Sequence, residues 1–179
     1  MRSGQLENAI NALKFHDRKG WALIFGRILV GFLSEQERSF EDFDLIVASP
    51  TFTGQGGRTF DHTRLVLHQA SAESPPGQDW PFDLDDPAAI IKTGPTDSLT
   101  GKGYQQRRAI AEEQLRTVLQ VPDPTRTTGK RILVYDDVFT DGRTLNEVAR
   151  ALRLQGSAQS VCGVTLCRQP WRGGHDAPP

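Results

Sequence analysis

Two adjacent carboxylates, Asp136 and Asp137, follow the apolar run Ile132-Leu-Val-Tyr135 and precede a short polar loop, Thr140-Asp-Gly-Arg-Thr144. The run reads as a buried strand, and Leu145, Val148, Ala149 and Leu152 after the loop recur at helical spacing. A strand, an acidic pair, a glycine loop and a helix in this order put the carboxylates beyond the carboxyl end of a strand, where α/β sheets bind ligands. The start of the helix turns its free N–H groups and the positive end of its dipole toward the loop, and Gly142 permits a tight wrap around an anion. The chemistry that fits is recognition of a phosphate with neighbouring hydroxyl groups. A plainer reading stays open for the parts taken singly: Asp141 or Thr144 capping the helix, Thr144 and Glu147 forming a capping box, and the acids as solvated turn residues.

Positioning such a segment takes a sheet with helices around it. Leu6, Ala9, Ile10 and Leu13 mark one amphipathic helix, and Trp21, Ile24, Phe25, Ile28, Leu29 and Phe32 a second. Trp21, Phe25 and Phe32 are expected in the core. The short run 44–48, closed by Ser49-Pro50, suits a buried strand, and a helix is expected over 58–69. Ser71 to Asp86 reads as a surface loop and Ala88 to Lys92 as a second strand, with a mobile loop over Thr93 to Gly103. A helix over Tyr104 to Leu119, a strand over Arg131 to Tyr135, a helix stopped by Gly156 and a strand over Ser160 to Leu166 complete the pattern. Helices alternating with short apolar strands predict an α/β fold with an open, mainly parallel sheet in a single domain over residues 1–172, followed by a flexible tail over 173–179.

Composition narrows the partners. At 179 residues the chain can bury a sizeable core, and a net charge of −1 gives no basic field for nucleic acid or an anionic membrane. No apolar run approaches the ~20 residues needed to cross a bilayer, and the N-terminus lacks the pattern of a secretory signal. Cys162 and Cys167 read as free thiols rather than metal ligands. A cytoplasmic location is expected.

The whole string Ile132-Leu-Val-Tyr-Asp-Asp-Val-Phe-Thr-Asp-Gly-Arg-Thr144 resembles the 5-phosphoribosyl-1-pyrophosphate (PRPP) motif of type I phosphoribosyltransferases. Beyond it the chain resembles ComF-type members, without their N-terminal zinc ribbon. Ala9-Ile-Asn-Ala-Leu-Lys14 is similar to the family's opening helix, Asp44 to Pro50 to its first strand, and Arg58-Thr-Phe-Asp-His62 to its Arg-Gly-Phe-Asn-Gln stretch. Lys92, Thr96 and Arg107 keep the spacing of a basic residue, a Thr and an Arg around the mobile loop.

The resemblance implies a type I phosphoribosyltransferase fold with a small variable hood, to which the N-terminal helices and Ser71 to Asp86 are candidates. It places Asp136 and Asp137 by the ribose hydroxyls, Thr140, Asp141, Gly142, Arg143 and Thr144 around the 5′-phosphate, and Ser49, Pro50, Thr51 and Phe52 against pyrophosphate with Arg58 and Lys102. Arg107, with Asp136 and Asp137, is assigned to catalysis. Mg²⁺ would arrive on PRPP itself, with no protein ligand assigned to it. Asp141 stands where many members carry a neutral residue, and Arg143 beside it can offset the charge. The activity implied is phosphoribosyl transfer to an unidentified base or amine with release of pyrophosphate. The alternative is a non-catalytic PRPP sensor or accessory protein. Nucleic acid and membrane are disfavoured as partners, and a homodimer is a candidate assembly. His62 and His68 are read as surface or packing residues.

Overall fold

The computed structural model describes residues 4–35, 43–97 and 102–169, together with the backbone but not the side chains of Tyr104 and Arg107. The expected tail over 173–179 lies outside the described residues, as does part of the expected mobile loop.

Helix α1 spans Gln5–Phe15 and buries Ala9, Ile10 and Leu13, and α2 spans Gly20–Glu35. Strand β1, Leu45–Ala48, leads to α3, His62–Ala72. α2 and α3 pack closely because Gly26 lets the backbones meet; a Cβ there would lie 2.7 Å from the Ala70 nitrogen. Strand β2 is only Ile91–Lys92 and pairs antiparallel with β3, Leu119–Gln120, so the segment expected as a second strand of the main sheet builds a separate ribbon. Between them run α4, Tyr104–Ala109, a π-helical stretch, Ile110–Leu115, and α5, Arg116–Val118. Strand β4, Arg131–Phe139, is followed by α6, Arg143–Leu154, and β5, Ser160–Arg168.

Among the described residues the main sheet is three-stranded and parallel in the order β1-β4-β5. Side chains of β4 alternate between its faces. Leu133 and Tyr135 join Ile46, α1, α2 and α3 in one core, while Ile132 and Val134 join Val148, Ala151 and Leu152 of α6 in the other. The two N-terminal helices are thus a layer packed directly on the sheet. Burial within this layer is one-sided, because Phe25 is 1% exposed whereas Trp21 and Phe32, expected in the core, are 36% and 41% exposed. The expected surface loop before β2 also packs partly inward: Phe82 bridges Ile46, and Asp83 is buried, accepting from the Ala89 N–H at 2.7 Å and from Arg126.

This layering fixes the location of the site. After β1 the chain crosses one face through α3, and after β4 it crosses the opposite face through α6. Neighbouring parallel strands whose connections leave in opposite directions form a topological switch point, with a crevice beyond their carboxyl ends.

Candidate functional site

β1 ends at Ala48, opposite Tyr135, but β4 runs on beside β5 to Phe139. Asp136 and Asp137 are therefore mid-strand residues rather than strand-end ones. What exposes the crevice is the early end of β1, sealed by the Ser49 N–H donating to the Tyr135 carbonyl at 2.8 Å.

The acids point to opposite faces. Asp137 is 5% exposed. Lys14, in the last turn of α1, reaches it at 2.6 Å, and His62, the first residue of α3, at 3.1 Å. Burial works against the charged carboxylate, but the His62 hydrogen bond and the Lys14 charge outweigh it and hold the Asp137 carboxyl at about 2. For His62 burial is the leading influence and pushes its pKa down against the pull of Asp137, with Arg58 and Lys14 adding to the lowering. A neutral imidazole has one N–H, and a carboxylate only accepts, so Nε2 donates to Asp137 and Nδ1 accepts from Thr51 Oγ1 at 3.3 Å.

His62 is thus a member of the site rather than a surface or packing residue, whereas His68 is exposed. Its position follows from the cap before it. Asp61 is the N-cap of α3, accepting from the Arg64 N–H at 3.0 Å and, through its other oxygen, from the Thr51 N–H at 3.1 Å. That single side chain docks the loop after β1 onto the helix start.

The same docking changes the expected role of the loop. The N–H groups of Ser49 and Thr51 are already taken by Tyr135 and Asp61, Pro50 has none, and the Phe52 carbonyl accepts from the Arg58 N–H at 2.9 Å. The positive charge here comes from side chains. Arg58 is half-buried, donates to the Lys14 carbonyl at 3.3 Å and lies over the Phe15 ring. Burial lowers its pKa, opposed by Asp137, Asp61 and Asp136. Lys92 donates to Thr96 at 2.6 Å, and its pKa is lowered by burial and then by Arg58. Lys14 and Arg58 therefore belong to one electrostatic cluster with the carboxylates, and Lys92 meets it through the Arg58 charge. Lys102 is exposed ahead of α4, and the Arg107 side chain lies outside the described residues.

Asp136 faces the other way, lining a hollow with Val138, Thr140, Gly142, Arg143 and Thr144. Burial, and then the neighbouring Asp137 charge, raise its carboxyl to about 7. Gly142 opens α6 at φ 77°, a left-handed conformation that favours glycine, and no side chain caps this helix. Asp141 folds back instead: it accepts from the Arg143 N–H at 3.4 Å and from Arg143 Nε at 3.2 Å. The capping-box alternative is excluded, because Glu147 is committed to Arg116 through bonds of 3.0 and 2.7 Å that tie α6 to α5.

The hollow over Asp136 measures about 10 Å³, room for one water and not for a phosphate. A larger one of about 250 Å³ lies beside it between α6 and the edge of β5, but its lining, including Val134, Leu145, Ala149 and Val161, carries no charged group. Phe139 and Leu145 line both hollows. Among the described residues no group of three or more His, Cys, Asp or Glu side chains is placed to hold a metal ion, and no helix is long and apolar enough to cross a membrane. Compared with models of known protein families the chain matches none, and it matches no curated protein.

Proposed function

We propose that this chain is a ComF-like phosphoribosyltransferase of type I fold that binds PRPP at the crevice beyond β1 and β4 and transfers the phosphoribosyl group to a base or amine, releasing pyrophosphate. The observation that carries the reading is that the segment 132–144, read from sequence as a PRPP motif, forms a strand, loop and helix start at a topological switch point, with Asp136, Thr140, Gly142, Arg143 and Thr144 around one hollow.

In this reading Asp136 accepts from a ribose hydroxyl, and the N–H groups at the start of α6 receive the 5′-phosphate once the loop opens to admit it. Lys14, Arg58 and Lys92 supply positive charge for the pyrophosphate, with Lys102 and Arg107 brought in from the segment ahead of α4 and from α4 itself. Ser49 to Phe52 shape that side of the site. Mg²⁺ suits the oxygen-only donors of a PRPP complex beside a carboxylate such as Asp136. When bound it would stabilise charge on the leaving pyrophosphate. A cytoplasmic role fits this substrate.

One observation favours the non-catalytic sensor as a second reading. Asp137 is already paired with Lys14 and His62, which leaves Asp136 as the more open acid. Incubation with labelled PRPP, Mg²⁺ and a panel of bases and amines separates the readings. Pyrophosphate release with one acceptor supports transfer; PRPP binding without turnover on any acceptor supports the sensor.

A further inference from the structure

The loop after β1 has few groups with which to hold an anion. The Ser49 and Thr51 N–H groups are engaged by Tyr135 and Asp61 and Pro50 has none, so the donors these three residues can still offer are the two hydroxyls. Ser49 is buried, whereas Thr51 is partly exposed beside the crevice. While His62 is neutral, Thr51 Oγ1 donates its proton inward to Nδ1 at 3.3 Å and turns only lone pairs outward. Lone pairs repel a phosphate oxygen.

A proton on His62 reverses the hydroxyl. An imidazolium carries both N–H groups, so Nε2 goes on donating to Asp137 at 3.1 Å while Nδ1 donates to Thr51 Oγ1, and the Thr51 O–H is released to point outward as a donor. The surroundings of the ring decide which state holds. Burial opposes the imidazolium most, Asp137 of β4 favours it, and Arg58 ahead of α3 and Lys14 of α1 oppose it. Burial, and then the Asp137 charge, raise the Tyr135 hydroxyl and the Cys167 thiol, and both stay neutral. An anion set against Lys14 and Arg58 offsets the two opposing cations. Its arrival and the protonation of His62 therefore favour each other.

We propose that His62 is a positioning residue for a diphosphate: it takes up one proton as the ligand binds, and so turns the Thr51 hydroxyl outward to donate to a diphosphate oxygen. This rests on the reading above, with the diphosphate of PRPP against the loop after β1. NMR of the histidine ring nitrogens in the wild-type chain at pH 7 tests it, with pyrophosphate and then PRPP and Mg²⁺ as probes. On saturation His62 should pass from one protonated ring nitrogen to two. Calorimetry in buffers of different ionisation enthalpy should show the wild-type chain taking up about one proton more than His62→Gln, a difference that cancels the proton exchange of pyrophosphate itself. Wild-type affinity for pyrophosphate should also rise relative to His62→Gln as pH falls from 8 to 6. Thr51→Val should bind pyrophosphate roughly tenfold more weakly and lose most of the proton uptake, and Thr51→Ser should restore both. If PRPP binds while His62 stays singly protonated, or if Thr51→Val binds pyrophosphate as tightly as wild type, the proposal is overturned and the PRPP reading stands. If neither probe binds, both fall. Should His62→Gln not fold, the wild-type ring nitrogens and the Thr51 pair decide.

Discussion

The two faces of β4 at the acidic pair were built for different ends. On the side of α1 and α3, Asp137 is buried and met by Lys14 and His62, with Thr51 and Asp61 extending the chain of hydrogen bonds. On the side of α6, Asp136 keeps company with a glycine-started helix and a loop whose one carboxylate is turned onto Arg143. Neighbours of identical chemistry thus part company: the environment holds one at about 2 and lifts the other to about 7. The first acid to bind a proton from solution is the one left open to a ligand, and the other ties the layers together.

Removing the tie should have the largest effect. Truncating one partner of a buried ion pair leaves the other charge unpaired, at a cost of about 3 to 5 kcal/mol. Asp137→Asn retains a hydrogen-bonding oxygen, so a loss of about 3 kcal/mol is expected, or roughly 6 to 12 °C in Tm for a chain of this size. Sequence reasoning alone puts both acids at a strand end, where Asn would weaken PRPP binding but leave folding nearly intact, and for Asp137 the Lys14 and His62 contacts reverse the expectation for folding. Because the Asp137 pKa is depressed in the folded state, its contribution is fully present above the unfolded carboxylate value of about 4 and is lost as pH falls toward 2. A urea titration of the variant at pH 7 and pH 3 should show the difference shrinking with acid.

Asp136 should respond in the opposite sense. Its folded pKa is raised, so the native state holds a proton that the unfolded chain has released, and stability falls as pH rises from about 4 through about 7. Asp136→Asn removes that decline. The variant should match the parent near pH 4 and exceed it by about 1 to 3 kcal/mol at pH 8, while losing tenfold or more in PRPP affinity. A parent whose stability does not fall across that window relative to the variant would place Asp136 in the same class as Asp137.

Two smaller changes sharpen the contrast within the loop. Gly142→Ala forces a side chain into a left-handed backbone and sets a Cβ 3.0 Å from the Phe139 ring, so a loss of about 1 to 2 kcal/mol is expected by denaturant unfolding. Asp141→Thr gives up the charge-assisted contact with Arg143, both side chains being largely buried, and should cost about 1 to 2 kcal/mol. Its PRPP affinity should change less than threefold, since the carboxylate is already turned away. A tenfold gain would mean that Asp141 faces the phosphate.

Much of the frame was legible from pattern. Helical spacing over Leu6 to Leu13 and over Leu145 to Leu152, and the unalternating runs at 44–48 and 131–135, gave the helices and the parallel strands, because both are driven by local burial. What stayed hidden depended on contacts distant in sequence. Lys14 and Asp137 are 123 positions apart and His62 and Asp137 75, and no local pattern pairs them. Pattern starts α3 four residues early, at 58 rather than 62, because the Asp61 cap draws its meaning from the Thr51 N–H it also receives. Periodicity puts Trp21 and Phe32 in the core because it reports that a residue is apolar, not which side of an all-apolar helix faces the sheet. The loop motif is visible as a string, but the raised carboxyl of Asp136 and the internal pairing of Asp141 appear only once the strand is placed between its two cores.

The measurement that bears most directly on the central claim is a calorimetric titration of the wild-type chain with PRPP and Mg²⁺, with ribose 5-phosphate and pyrophosphate titrated alongside. The account predicts saturable heat for PRPP, weaker binding of either fragment, and a raised thermal midpoint, since a ligand at a hundredfold excess over its Kd adds about 2.7 kcal/mol to folding stability. Absence of heat and of any thermal shift at millimolar PRPP, or equal binding by Asp136→Asn, would contradict it.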